Sequence, residues 1–100
     1  LIYDLDRYDA LLHQCKAAFP KRWKHYVAAK SNPLPAVLAR ALAAGFGVEC
    51  ASIGETLLCV RELDTADVVF DSPAKTKKEL AWALHHDVRT HLDNFAEFDR

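Results

Sequence analysis

The chain has 100 residues, the size of one small domain. Thirteen Lys and Arg against fourteen Asp and Glu leave a net charge of −1, which gives no broad attraction to nucleic acid or to an anionic membrane. With 51% hydrophobic and 27% charged residues the composition excludes a disordered chain, and no apolar run approaches the roughly 20 residues that span a bilayer.

A first helix is expected over about 5–18, with Leu5, Tyr8, Leu12, Cys15 and Phe19 as its apolar stripe and Pro20 as its stop. The basic run Lys21-Arg22-Trp23-Lys24-His25 reads as a surface loop whose cations complement the helix end, since no wider basic face extends it. Four β-branched or aromatic runs then begin near His25 (HYVAA), Gly47 (GVECA), Asp67 (DVVFD) and Val88 (VRTHL), roughly 21 residues apart. Between them lie three helical stripes. The first is Leu34, Val37, Leu38, Ala41 and Leu42; the second Ile53, Leu57 and Val60; the third Leu80, Ala83 and Leu84.

Punctuation supports these boundaries. Pro35 suits a first helical position, and Gly45 suits a left-handed residue just past a helix end. Ser52-x-x-Glu55 and Thr76-x-x-Glu79 read as capping boxes, with Asn94-x-x-Glu97 as a third, weaker start. Lys75, Lys77 and Lys78 read as a solvated first turn, although cations are poorly placed there.

Strands alternating with helices predict an α/β fold with a parallel sheet. Side-chain parity distinguishes the two possible closures. Val48 and Cys50, Val68 and Phe70, and Val88, Thr90 and Leu92 share one face. Glu49 and Ala51, Asp67, Val69 and Asp71, and Arg89, His91 and Asp93 share the other. A doubly wound sheet is apolar on both faces. One apolar and one partly charged face fits parallel (β/α) units forming the N-terminal half of a TIM-type (β/α)8 barrel. A full barrel takes about 250 residues. Residues 1–100 are therefore expected to be its N-terminal portion, about four β–α units after a helix, within a longer polypeptide. The absence of Met points to a processed chain or an excised piece.

By the same parity, Tyr26, Ala28 and Lys30 point one way and Val27 and Ala29 the other. If the second pair meets the helices, Lys30 projects inward at the end of its strand, near Glu49. Partial desolvation favours a neutral amine, the form that condenses with an aldehyde, while a nearby carboxylate opposes it. On spacing alone a solvated lysine in a β–α loop is the favoured reading, since most lysines are exposed.

The motifs carry a resemblance. Tyr26-Val27-Ala28-Ala29-Lys30-Ser31-Asn32-Pro33 resembles the lysine strand of fold-type III pyridoxal-phosphate (PLP) enzymes. Gly47-Val48-Glu49-Cys50-Ala51-Ser52-Ile53-Gly54-Glu55, Phe70-Asp71-Ser72-Pro73-Ala74-Lys75-Thr76 and His91-Leu92-Asp93-Asn94 with Glu97 resemble later motifs of the ornithine and diaminopimelate decarboxylase group. So does the opening Leu1-Ile2-Tyr3-Asp4-Leu5. Pro33-Leu34-Pro35 is similar to the decarboxylase branch and departs from the Tyr-Gly-His-Gly of alanine racemases.

The resemblance implies a PLP-dependent amino-acid decarboxylase. Lys30 would hold pyridoxal 5′-phosphate as an internal aldimine, Ala28 and Glu49 would lie beside it, and Asn32 and Asp71 would stand at the rim. Glu49 departs from the Asp common in the ornithine branch. The resemblance further implies an amino-acid substrate, a homodimer and later segments that complete the site. A non-catalytic homologue that binds a regulatory protein and another fold-type III enzyme such as a racemase are the alternatives.

No metal, nucleic-acid or membrane partner is expected. His85 and His86 diverge on a helix, and His91 reads as a surface residue. Cys15, Cys50 and Cys59 have no metal-ligand spacing, which favours a reducing, cytoplasmic setting; the last two read as small buried apolar residues.

Overall fold

The computed structural model describes residues 2–62 and 67–99. Helix α1 (Leu5–Ala17) begins where the Asp4 carboxylate accepts the Arg7 N–H at 2.9 Å, satisfying one orphan donor of the first turn. It packs mainly on α2 (Pro35–Ala43), with an Asp9–Arg40 ion pair between them. That one-sided contact buries Leu12 alone. Cys15 and Phe19, expected on the same face, are exposed, and Phe19 stacks on Trp23 with ring centroids 5.3 Å apart.

Strands β1 (Tyr26–Ala28), β2 (Gly47–Cys50), β3 (Val68–Phe70) and β4 (Arg89–Thr90) form one parallel sheet in chain order. The crossovers carry α2, α3 (Ile53–Glu62) and α4 (Lys77–His85), and a short α5 (Phe95–Phe98) follows β4. Right-handed crossovers with an unbroken strand order put every connecting helix on one side of the sheet. A doubly wound sheet must reverse its order to cover both faces. The observed order is the barrel arrangement.

The register bears out the parity argument. Val27 pairs with Val48 and Val48 with Val68; all three meet the helices, where Ala29, Leu38, Cys50, Cys59, Phe70, Ala83 and Val88 complete the core. On the opposite, inner face Ala28, Glu49, Val69 and Arg89 form one rung across four strands. Helix α3 departs from expectation. Thr56 and Cys59 face the sheet while Leu57 is exposed. A threonine can occupy that place because its hydroxyl donates to the Ser52 carbonyl at 2.8 Å.

Helices α2 and α4 end alike. The Gly45 and Phe46 N–H groups donate to the Leu42 and Ala41 carbonyls; Asp87 and Val88 do the same to Leu84 and Ala83. Each is a six-residue cap with its pivot in the left-handed region, Gly45 at φ 83° and Asp87 at φ 54°. The caps turn Phe46 and Val88 into the core as each next strand begins. At the helix starts, Thr76 and Glu79 form the full reciprocal box. Glu55 and Glu97 reach one residue further back, to the N–H groups of Ala51 and Asp93.

Gly47 has a steric role. The Tyr26 ring lies across it, and the Tyr26 hydroxyl accepts a hydrogen bond from the Arg89 guanidinium at 2.6 Å, bridging the inner face from β1 to β4. A Cβ at position 47 would stand 2.4 Å from a ring carbon and 2.7 Å from the Asp67 carbonyl oxygen. The ring is tied to Arg89 and the oxygen belongs to the backbone, so neither yields freely. Gly47→Ala is expected to destabilise the protein by about 1–3 kcal/mol in urea denaturation. A loss below roughly 0.5 kcal/mol would show that both can move.

Candidate active site

In β–α barrels the chemistry gathers where the strands end, at their C-terminal edge. Strand β1 stops at Ala28. The next three residues, Ala29–Ser31, form a 3-10 turn closed by the Ser31 hydroxyl, which donates to the Ala28 carbonyl at 2.7 Å. Lys30 is therefore on this turn and not in the strand, so strict alternation stops one residue before it. Ala29 is buried against the helices and Lys30 is exposed at the strand's exit. Glu49 is half-buried on the inner face, paired in register with Ala28, whose methyl group leaves that face open beside it.

Asp71 and His91 extend the ladder one step beyond the strands. The Asp71 N–H donates to the Cys50 carbonyl at 2.8 Å and the His91 N–H to the Phe70 carbonyl at 3.0 Å. Their side chains meet, with His91 Nδ1 3.4 Å from Asp71 Oδ2. Asn32 is engaged locally: its side-chain oxygen accepts the Leu34 N–H at 3.2 Å, before α2. It borders a cleft of about 130 Å³ beside β1, with Tyr3, Tyr8 and Val37 among the other walls. That volume is well below the roughly 300 Å³ of a small-molecule pocket.

Lys75 is the residue that local reading misplaced. It is fully buried. Its ammonium donates to the Glu97 carboxylate at 3.1 Å and to the Ser72 carbonyl at 2.5 Å, with side-chain exposures of 0% and 2% for the pair. The same carboxylate accepts the backbone N–H groups of Asp93 and Lys75. These donors, the Asp93 N–H foremost, hold the Glu97 carboxyl down to about 2 against the opposing effect of burial. The arrangement ties the β3–α4 loop to the β4–α5 loop at the end of the sheet that carries Lys30. Glu97 was legible as a cap residue, but nothing local in the sequence linked it to Lys75.

The other candidates resolve simply. Cys50 and Cys59 are buried with their sulfurs 3.6 Å apart. The Cys50 thiol donates to Cys59, which together with burial pushes it up from its ordinary value. His86 stacks on Trp82, centroids 4.4 Å apart. Lys24 of the basic loop pairs with Asp67 at 3.0 Å. Among the described residues no three His, Cys, Asp or Glu side chains converge as a metal site, and no helix is long and apolar enough to cross a membrane.

The fold coincides with a known one. The model of the pyridoxal-dependent decarboxylase family, pyridoxal binding domain, matches residues 5–100. The chain belongs to that family. It superposes on the diaminopimelate decarboxylase of Helicobacter pylori, solved with L-lysine, at a TM-score of 0.85 and 25% identity, covering 97% of this chain and 25% of that one. The arginine decarboxylase of Paramecium bursaria Chlorella virus shares the fold at a TM-score of 0.82 and 24% identity, over 95% of this chain and 26% of its own. A search of curated proteins found no match. The chain thus spans about a quarter of the length of these two enzymes.

The residues fit the cofactor of a pyridoxal binding domain. Lys30 lies on the turn where β1 ends, Ala28 precedes it on the inner face, and half-buried Glu49 pairs with Ala28 in register. That donor set suits a flat aldehyde-bearing ring with ionisable heteroatoms.

Proposed function

We propose that this chain is the lysine-bearing part of a PLP-dependent amino-acid decarboxylase, a lyase, with Lys30 as the covalent anchor of the cofactor. Residues 1–100 are read as the N-terminal portion of a (β/α)8 barrel within a longer polypeptide. That reading draws on the one-sided helices and on the quarter-length match. The single observation carrying the functional reading is the position of Lys30. It is the amine at the C-terminal exit of β1 in a domain whose family binds pyridoxal phosphate.

When bound, the cofactor supplies the electron sink that lets a carboxylate leave as CO2. The chain supplies position. Lys30 would hold the cofactor through its side-chain amine. Ala28 leaves room beside that amine. Glu49 presents a half-buried carboxylate on the same inner face, in register with Ala28. Asp71 and Asn32 stand toward the rim. A homodimer and a cytoplasmic setting belong to this same reading; an odd number of cysteines without metal-ligand spacing favours a reducing compartment.

Lys30→Ala in the full-length protein is expected to remove the visible absorbance band of a lysine-bound pyridoxal. Borohydride reduction of the unaltered protein should leave a pyridoxyl group on the peptide containing Lys30. A pyridoxyl group on a different lysine, or a band that survives in Lys30→Ala, would overturn the assignment.

A further inference from the structure

Resting on the reading of Lys30 above, we propose that His91, oriented by Asp71, is the proton acceptor that converts the incoming amino acid's ammonium group to a free amine. The ladder bonds at Asp71 and His91 put both residues two positions beyond Val69 and Arg89, on the same face as Ala28 and Glu49 and at the strand ends where Lys30 emerges. His91 is reachable, with its side chain 58% exposed. Its Nδ1 is turned to the Asp71 carboxylate. That contact favours the tautomer with the proton on Nδ1 and leaves the Nε2 lone pair directed away from Asp71. A separation of 3.4 Å is typical of such pairs before a ligand tightens them.

The chemistry requires such a group. Amino acids arrive as ammonium ions, and only the neutral amine can attack a carbonyl carbon. The charged groups nearest His91 along the chain and sheet are Asp71 just after β3, Arg89 of β4, Asp93 in the loop after β4, and the Lys75–Glu97 pair at the adjoining loops. Glu49 and Lys30 lie across the inner face. Carboxylates are weak bases for this task, and the cations carry their protons already. Among the described residues His91 is the only imidazole on this face. In the step, an N–H bond of the ammonium breaks and its electron pair stays on the substrate nitrogen. The proton forms an Nε2–H bond, and the resulting imidazolium is offset by Asp71. No oxidant or further reactant is involved.

The test follows bleaching of the visible band of the full-length, cofactor-loaded protein by L-cysteine, a probe whose thiol closes on the same carbon once its amine has added. His91→Asn is expected to leave the resting band intact and to slow bleaching by about a hundredfold at neutral pH. Added imidazole should restore part of the rate. In the cofactor-free protein, Asp71→Asn is expected to lower the share of the Nδ1–H tautomer of His91, read by 15N NMR, because the carboxylate facing Nδ1 is gone. An unchanged bleaching rate in His91→Asn, or an unchanged tautomer balance in Asp71→Asn, would overturn the dyad and leave Lys30 standing. A band that survives Lys30→Ala would overturn both.

Discussion

Phe70→Ala is expected to lower the stability of the protein by about 3–5 kcal/mol. Phe70 is fully buried at the end of β3, between Cys50 and Thr90 in register, and belongs to the cluster that joins the sheet to α2, α3 and α4. Truncating it opens a cavity between layers that cannot both close on it, because the strands are fixed by their ladders. The ring also lies 5.9 Å from the Lys75 ammonium, within reach of a cation–π attraction. Phe70→Leu keeps most of the volume and loses that attraction, so it should cost clearly less than Phe70→Ala. Equal losses for the two in urea denaturation would show that packing volume is not the governing factor.

Lys75→Met should be the most damaging single change of a charged residue. It leaves the Glu97 carboxylate buried with only backbone donors and removes the cation linking two loops. The control is Lys24→Met, which breaks the exposed pair with Asp67; pairs of that kind contribute at most about 1 kcal/mol. The loss in Lys75→Met should exceed that of the control. Glu97 adds a pH signature. Its carboxyl titrates near 2 in the fold against 4.5 in the unfolded chain, so its stabilising contribution is complete above pH 4.5 and fades as pH falls from 4.5 toward 2. Glu97→Gln should remove that part of the acid dependence. An acid limb of the same shape in Glu97→Gln would assign it to other carboxyls.

The features legible in the sequence were those set by short-range rules. Strand parity reads directly from alternation, and the rung of Ala28, Glu49, Val69 and Arg89 followed once the sheet was parallel. Gly45 announced its left-handed turn because glycine bears no Cβ; Asp87 makes the same turn with no such marker. Lys30 lay one residue past the point where alternation holds, because a serine hydroxyl closes a turn at Ala28. The burial of Thr56 in place of Leu57 depended on a hydroxyl finding a carbonyl one turn back. Lys75 was misread because its partner is 22 residues away, on the far side of a helix and a strand. His91 reads as a surface residue and is one, but only the ladder shows that it stands beside Asp71.

The unbroken order of the strands bears on biogenesis. Each strand docks against the one translated immediately before it, with only a single helix intervening. A growing polypeptide can therefore assemble these four strands stepwise as it leaves the ribosome. The Lys75–Glu97 clasp can close only after the last of the four steps, so it would fasten units that are already stacked.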